Sequence, residues 1–282
     1  MIVLKGAAVS AGIQAEVEEK LRELNGFVPT LAVVRVGERP DDLSYERSAL
    51  ARMKKFGLQG VSRSYPSDIS MEEFRKEFEK INEDPGIDGI LLLRPLPPQL
   101  DEKEIERLID PAKDLDGISP ENIAKVFSGD ETGFAPCTAE AVIRMLKGYE
   151  IPIEGKRAVI VGRSMVVGRP LAMLLLKENA TVTVCHTRTK NLKEVCRQGE
   201  ILVAAAGRAG MITGDFLAEE AVAVDVGINV DEEGNLCGDM EFSSVSEKAS
   251  MATPVPGGVG GVTTAVLAEH LVRAALKRNE KR

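Results

Sequence analysis

The chain has no tryptophan, three tyrosines and only 4% aromatic residues over 282 positions. So small an aromatic supply excludes the stacking platforms on which single-stranded nucleic acids are bound. Positive charge is not in excess either. Thirty-six Lys and Arg stand against 44 Asp and Glu, a formal net charge of −8, which argues against nucleic acid as the main partner. Two histidines, His186 and His270, are too few for a multi-histidine metal centre. The four cysteines (Cys137, Cys185, Cys196, Cys237) contain no Cys-x-x-Cys pair and no disulfide framework, as in reduced cytoplasmic proteins. No apolar run approaches a membrane span, and the first five residues lack the shape of a signal peptide. A soluble cytoplasmic protein without metal or membrane contact is expected, long enough for two domains.

What is present is an alternation of strands and helices. Val9, Ile13, Val17, Leu21 and Leu24 recur at helical spacing and predict an amphipathic core helix. Strands are expected at 30–36, 61–65 and 89–93, and helices at 45–56, 71–82 and 100–109, with 37–42 as a loop. A helix at 139–147 leads to a second set of strands at 158–161, 180–185, 201–206 and 221–226, the first two read as buried. Helices are expected at 171–176, 191–196 and 263–277. Residues 231–235 read as a surface turn and 278–282 as a frayed end.

The segment from Arg157 to Leu176 organises the second set. Ala158 to Val161 is an apolar β-branched run, Gly162 to Gly168 is a turn with two glycines, and Pro170 falls in the first helical turn. A strand, a glycine turn and a helix start offer unpaired N–H groups and a positive dipole end to an anion. The spacing is Gly-x-Ser-x-x-x-Gly, not Gly-x-Gly-x-x-Gly, so a ligand-free connection is the competing reading. The next strand ends in His186-Thr187-Arg188-Thr189. Where NAD-binding units carry an acidic residue for the ribose 2′-hydroxyl, no carboxylate is present. Arg163, Thr187 and Arg188 offer guanidinium forks and a hydroxyl instead, which suits the 2′-phosphate of NADP. A solvent-facing Arg188 is the alternative. The fold class is α/β, with two α/β domains, the second a Rossmann-type dinucleotide-binding domain.

Several segments keep one order and spacing: Val36-Gly37 with Tyr45, Pro95-Leu-Pro97, Lys113-Asp-Leu-Asp-Gly117, Pro136-Cys-Thr138, Val161-Gly-Arg-Ser164 with Val167-Gly-Arg-Pro170, and Cys185-His186. Asp225-Val-Gly-Ile-Asn229, Gly238-Asp239 and Thr253-Pro-Val-Pro-Gly-Gly-Val-Gly260 complete the set. Over nearly the whole chain this set resembles the methylenetetrahydrofolate dehydrogenase/cyclohydrolase family. The resemblance implies a folate-binding catalytic domain of residues 1–138 plus 263–282 and an NADP-binding domain of residues 139–262. It also implies a folate cleft between them, a last helix returning to the first domain, and a homodimer. In that family 5,10-methylenetetrahydrofolate is oxidised by NADP to 5,10-methenyltetrahydrofolate, and water then opens the ring to 10-formyltetrahydrofolate.

Residue by residue, the resemblance places pterin stacking on Tyr45 and recognition of pterin N–H groups on Asp116. An aromatic face suits a flat heterocycle and a carboxylate suits its N–H edge. It places further substrate contacts on Pro256, Gly257, Gly258 and Val259. Cofactor contacts fall on Gly162, Arg163, Ser164, Val167, Gly168, His186, Thr187, Arg188, Ala206, Gly207 and Ile228. Without the resemblance, Tyr45 reads as an ordinary helix tyrosine and Asp116 as a turn residue before Gly117.

The departures carry as much information. The family's catalytic lysine falls on Ala49, its assisting glutamine on Leu93 and a serine on Asp42, while Ala139 and Gly261 replace prolines. Alanine moves no proton, and leucine holds no water. Arg47 points about 200° away around the helix, and Arg52 sits about 4.5 Å further along it. A guanidinium also stays protonated. Ring opening needs acid–base help of about 10²–10⁴-fold, whereas hydride transfer needs mainly positioning. The expectation is a dehydrogenase with weak or lost cyclohydrolase activity, served by a separate cyclohydrolase. The alternatives are a bifunctional enzyme in which Asp42, Arg52 or another group replaces the lysine, and a non-catalytic NADP- and folate-binding protein.

Overall fold

A computed structural model describes residues 1–231 and 233–279. Glu232, within the expected 231–235 turn, and positions 280–282 of the expected frayed end lie outside the described residues. The chain forms two compact units, Met1–Gly12 with Thr138–Thr263, and Ile13–Cys137 with the chain from Thr264 onward.

The first unit differs from the expected division, which grouped residues 1–138. Ile2–Val3 forms a parallel strand against Met251–Ala252. Gly6 N–H then donates to the Gly257 carbonyl at 2.9 Å, and Ser10 Oγ donates to the Gly261 carbonyl at 3.0 Å. These partners are remote in sequence, so no local pattern announces them.

The sheet of this unit has six strands, and every described pairing in it is parallel. Its order is Ile2–Val3, Met251–Ala252, Val222–Asp225, Ile201–Ala204, Arg157–Val161, Thr181–Cys185. Thr181–Cys185 is an edge strand with Thr181, Thr183 and Val184 exposed, not the buried strand its composition suggests. Alternating threonine and valine suit edge and interior alike, and only the neighbours decide. Strand order reverses at Arg157–Val161, which makes its carboxyl end a topological switch point where ligands of open α/β sheets collect.

The second unit carries a three-stranded parallel sheet, with Thr30–Val36 between Gln59–Tyr65 and Gly89–Leu92. Thr30–Val36 is buried along its whole length. Ala32, Val34 and Val36 pack with Phe74, Phe78, Ile81, Ile90 and Leu92 on one face. Burial of each of these side chains larger than alanine stabilises by about 1.5–3 kcal/mol.

The helix carrying Tyr45 runs Pro40–Lys55, starting earlier than expected. Pro40 takes a first-turn position that needs no N–H donor, and Asp41 and Asp42 meet the positive dipole end. Helix Met71–Glu83 opens with a Ser70–Glu73 capping box. Helix Pro120–Ser128 lies outside the expected elements, although its signals are local. Ser119 accepts from Asn122 N–H, Pro120 opens the first turn, and Gly129 closes it at φ +76°.

The final helix, Val259–Asn279, is long and apolar enough to cross a membrane by length and composition, contrary to the sequence reading. Since 78% of its apolar stretch is buried inside the protein, it serves as a core helix. From Thr264 onward it belongs to the unit of Ile13–Cys137, where Arg278 Nη1 lies 3.1 Å from Asp88 Oδ1.

Candidate active site

The glycine turn after Arg157–Val161 is packed too closely for side chains. Gly162 lies at φ +138°, and a Cβ there would stand 2.1 Å from the Ala205 carbonyl oxygen. A Cβ on Gly168 would stand 2.1 Å from the Gly162 carbonyl oxygen. Ser164 Oγ accepts from Val167 N–H at 3.1 Å, and Arg169 N–H donates to the Ser164 carbonyl at 3.0 Å. Arg163 and Ser164 remain exposed, while Val167 is half-buried.

Val161 lies in register with Cys185, so the 186–189 turn stands beside this loop. His186 N–H donates to Thr189 Oγ1 at 2.8 Å, and Arg188 N–H donates to His186 Nδ1 at 3.1 Å. His186 is therefore the tautomer with its ring proton on Nε2 when neutral. Thr187 and Arg188 are exposed. Ala206 and Gly207 follow Ile201–Ala204, and Ile228, 68% exposed, follows Val222–Asp225. The expected cofactor residues thus fall at the carboxyl ends of four contiguous parallel strands. A tight glycine turn, two exposed guanidinium groups and no carboxylate in the 186–189 turn fit a phosphorylated dinucleotide.

Two buried carboxylates, Asp225 and Asp239, lie behind these loops. Asp225 accepts from the N–H groups of Gly227 at 2.9 Å, Asp239 at 3.0 Å and Met240 at 2.8 Å. Burial pushes its carboxyl up to about 6 against the pull of those three bonds. Asp239 accepts from Ala206, Gly207 and Arg208 N–H and from Asn229 Nδ2. The close glycines Gly227 and Gly238 are the only local signals of this arrangement.

In the other unit Tyr45 and Asp116 are both half-buried. Burial pushes the Tyr45 phenol well above its usual range, and the Asp116 carboxyl and Cys137 add to the rise. Tyr45 therefore stays a neutral donor, and it stands within electrostatic reach of Asp116. Burial also raises the Asp116 carboxyl, opposed first by the Cys137 N–H, which donates to Oδ1 at 2.8 Å, and then by Arg94. The preceding Leu115 carbonyl accepts from His270 Nδ1 at 2.8 Å and from the Cys137 thiol at 3.3 Å.

Ala49 has no exposed surface, and Leu93 has 7%. Asp42, Glu46, Ala49 and Met53 form the buried stripe of the Tyr45 helix. Leu93 N–H donates to the Val34 carbonyl at 2.9 Å, which sets it beside Arg35 on the neighbouring strand. Arg35 Nε donates to Glu46 Oε2 at 2.7 Å, and both residues are buried. Burial raises the Asp42 carboxyl, while Arg39, 3.9 Å away, opposes the rise. Arg52 turns along its helix, with Nε donating to Thr264 Oγ1 at 3.1 Å and its guanidinium 5.5 Å from the Phe56 ring centroid. Pro256 and Gly257 are exposed, Gly258 and Val259 are buried, and all four belong to the unit of the dinucleotide-type sheet.

Comparison with known proteins places this geometry. Residues 4–116 match the model of the tetrahydrofolate dehydrogenase/cyclohydrolase catalytic domain, and residues 136–279 match that of its NAD(P)-binding domain. The chain is 54% identical over 276 residues to the bifunctional protein FolD of Alkaliphilus oremlandii, covering 96% of each. Its fold matches the crystal structure of the bifunctional FolD methylenetetrahydrofolate dehydrogenase/cyclohydrolase from Campylobacter jejuni, with a TM-score of 0.95, 40% identity and 99% of both chains covered. It also matches the Trypanosoma brucei methylenetetrahydrofolate dehydrogenase-cyclohydrolase solved with NADP and an inhibitor, with a TM-score of 0.93, 32% identity, and 100% of this chain and 99% of that one covered.

Proposed function

The chain belongs to the tetrahydrofolate dehydrogenase/cyclohydrolase family, and from that premise we propose an NADP-dependent 5,10-methylenetetrahydrofolate dehydrogenase whose cyclohydrolase activity is weak or lost. NADP, when bound, accepts the hydride. Gly162, Ser164 and Gly168 would form the backbone cradle for its phosphates, and Arg163, Thr187 and Arg188 would hold the 2′-phosphate. Tyr45 would stack on the pterin, and Asp116 would accept from its N–H edge. Removing hydride from the one-carbon bridge leaves a cation, 5,10-methenyltetrahydrofolate, and requires no proton transfer by the protein.

The observation that carries the second half of the proposal is Ala49, fully buried on the helix face where the family bears its lysine. Leu93, at the glutamine's position, supplies no amide to hold a water. On this reading methenyltetrahydrofolate leaves the enzyme intact, a separate cyclohydrolase consumes it, and the chain acts as a homodimer. A bifunctional enzyme is the second reading. It is favoured by the bifunctional names of the relatives and by Asp42 and Glu46, two carboxylates on the stripe of Ala49.

A two-wavelength assay of the purified chain tests both halves by following NADPH formation and methenyltetrahydrofolate decay separately. Formation of NADPH with decay no faster than the spontaneous rate is expected. Ala49→Lys with Leu93→Gln should then recover part of the decay, and Ala49→Lys alone should recover little. Wild-type decay as fast as its own dehydrogenase turnover would overturn the loss and favour the bifunctional reading. Absence of NADPH formation would leave only a binding protein.

A further inference from the structure

We propose that Asp239 is a positioning residue of the nucleotide site. By taking up the N–H groups of residues 206–208, it leaves that stretch of backbone only carbonyl oxygens to present to a ligand. The backbone there thereby becomes a subsite for hydrogen-bond donors, beside the exposed Arg208 side chain. This inference rests on the NADP reading above.

Asp239 has no exposed surface. Its Oδ2 accepts from Ala206 N–H at 2.5 Å and Gly207 N–H at 2.9 Å, and its Oδ1 accepts from Arg208 N–H at 2.8 Å and Asn229 Nδ2 at 2.9 Å. Four donors converge on two oxygens, so the group acts only as an acceptor, the role of an ionised carboxylate. Asp225 in turn fixes the Asp239 backbone through a 3.0 Å bond from its N–H. The approach is close on both sides. A Cβ on Gly227 would lie 2.4 Å from the Asp239 carboxylate, and one on Gly238 would lie 1.9 Å from Asp225 Oδ2.

When three successive N–H groups turn toward one buried carboxylate, their peptide carbonyls turn away from it. The Ala204 carbonyl is tied into the sheet by Val226 N–H at 2.9 Å. Among the described residues, no backbone N–H bonds the carbonyls of Ala205, Ala206 or Gly207. The Ala205 carbonyl abuts Gly162, so this acceptor edge adjoins the phosphate turn.

Strand order assigns the edge to one half of the ligand. Thr187 and Arg188 follow the strand on one side of Arg157–Val161, and residues 205–208 follow the strand on the other. A dinucleotide laid across the switch point with its 2′-phosphate on the first side brings its nicotinamide half to the second. That half carries ribose hydroxyls and a carboxamide N–H₂, all of them donors.

The test is calorimetric titration of the full chain with NADP and with adenosine 2′,5′-bisphosphate, which keeps the 2′-phosphate but lacks the nicotinamide half. Asp239→Asn preserves shape but turns an amide N–H₂ toward N–H donors. NADP affinity should fall about tenfold or more, as expected for the loss of a charged hydrogen bond, while bisphosphate affinity holds. Asn229→Ala removes a single donor to the carboxylate and provides a second variant should the first not fold. It should cost roughly threefold for NADP and nothing for the bisphosphate. Wild-type binding of both ligands with unchanged NADP affinity in either folded variant would overturn the role of Asp239 and leave the NADP reading intact. Equal losses for the two ligands would make Asp239 a general support and overturn it also. A wild-type chain that binds neither ligand would end the NADP reading itself.

Discussion

The buried ion pair of Arg35 and Glu46 lies under the helix that carries Tyr45, and removing one half of it should be costly. In Glu46→Leu the guanidinium keeps the Gly37 carbonyl as an acceptor but loses its carboxylate. Arg35 is only 8% exposed, so water cannot fully replace the lost partner. Breaking a buried pair from one side costs about 3–5 kcal/mol, whereas replacing both partners by apolar groups of similar volume is often neutral. Glu46→Leu should therefore lose about 3–5 kcal/mol, and Arg35→Met with Glu46→Leu should return to within about 1 kcal/mol of wild type. At 2–4 °C per kcal/mol for a large domain, the single change lowers Tm by roughly 10 °C. Ala49 shares the buried stripe of Glu46, so Ala49→Lys adds a cation beside a carboxylate that Arg35 already neutralises. Pairing Ala49→Lys with Arg35→Met should relieve the excess charge and recover stability lost in Ala49→Lys alone. Thermal unfolding followed by circular dichroism, with urea titration for the free energies, measures each difference. A single-variant loss under about 1 kcal/mol, or a double variant as unstable as the single, would refute the reasoning.

Two further outcomes follow from the nucleotide unit. Burial raises the Asp225 carboxyl to about 6, so the native state binds its proton more tightly than the unfolded chain. Its contribution of about 3 kcal/mol is present below about pH 4 and is lost as pH rises through about 6. Asp225→Asn should flatten the decline of Tm across that window relative to wild type, and identical slopes in the two proteins would contradict it. Arg163→Ala should raise the Michaelis constant for NADP about tenfold or more and leave that for NAD nearly unchanged, as loss of a charge-assisted bond requires. A wild-type enzyme that used NAD as well as NADP would remove the basis for a phosphate pocket.

Local structure is legible where one chain segment carries its signals whole. Strands Thr30–Val36 and Arg157–Val161 lie where their apolar runs fall, and the 162–168 turn is closed by the glycines that mark it. Other local signals set elements that the expectations lack or begin late. Ser119, Pro120 and Gly129 frame helix Pro120–Ser128, and Pro40 with Asp41 and Asp42 moves the start of the Tyr45 helix forward. The last helix is a helix as expected, but its apolar length suffices for a membrane span where none is expected.

By itself the sequence determined the β/α alternation, the glycine turn after Val161, the lack of a carboxylate directly after Cys185, and the residues standing at 49 and 93. Each depends on covalent neighbours or on the identity of one side chain. Only the tertiary structure decided that residues 1–12 join the unit of the six-stranded sheet, that Thr181–Cys185 is an edge, and that Asp239 gathers the 206–208 loop. It also decided that Glu46 is neutralised by Arg35 beside Ala49. These outcomes depend on partners from 11 to more than 200 residues away along the chain, as with Glu46 for Arg35 and Gly261 for Ser10. Spacing along one segment records how that segment folds on itself, whereas a buried charge is settled by whichever remote group reaches it.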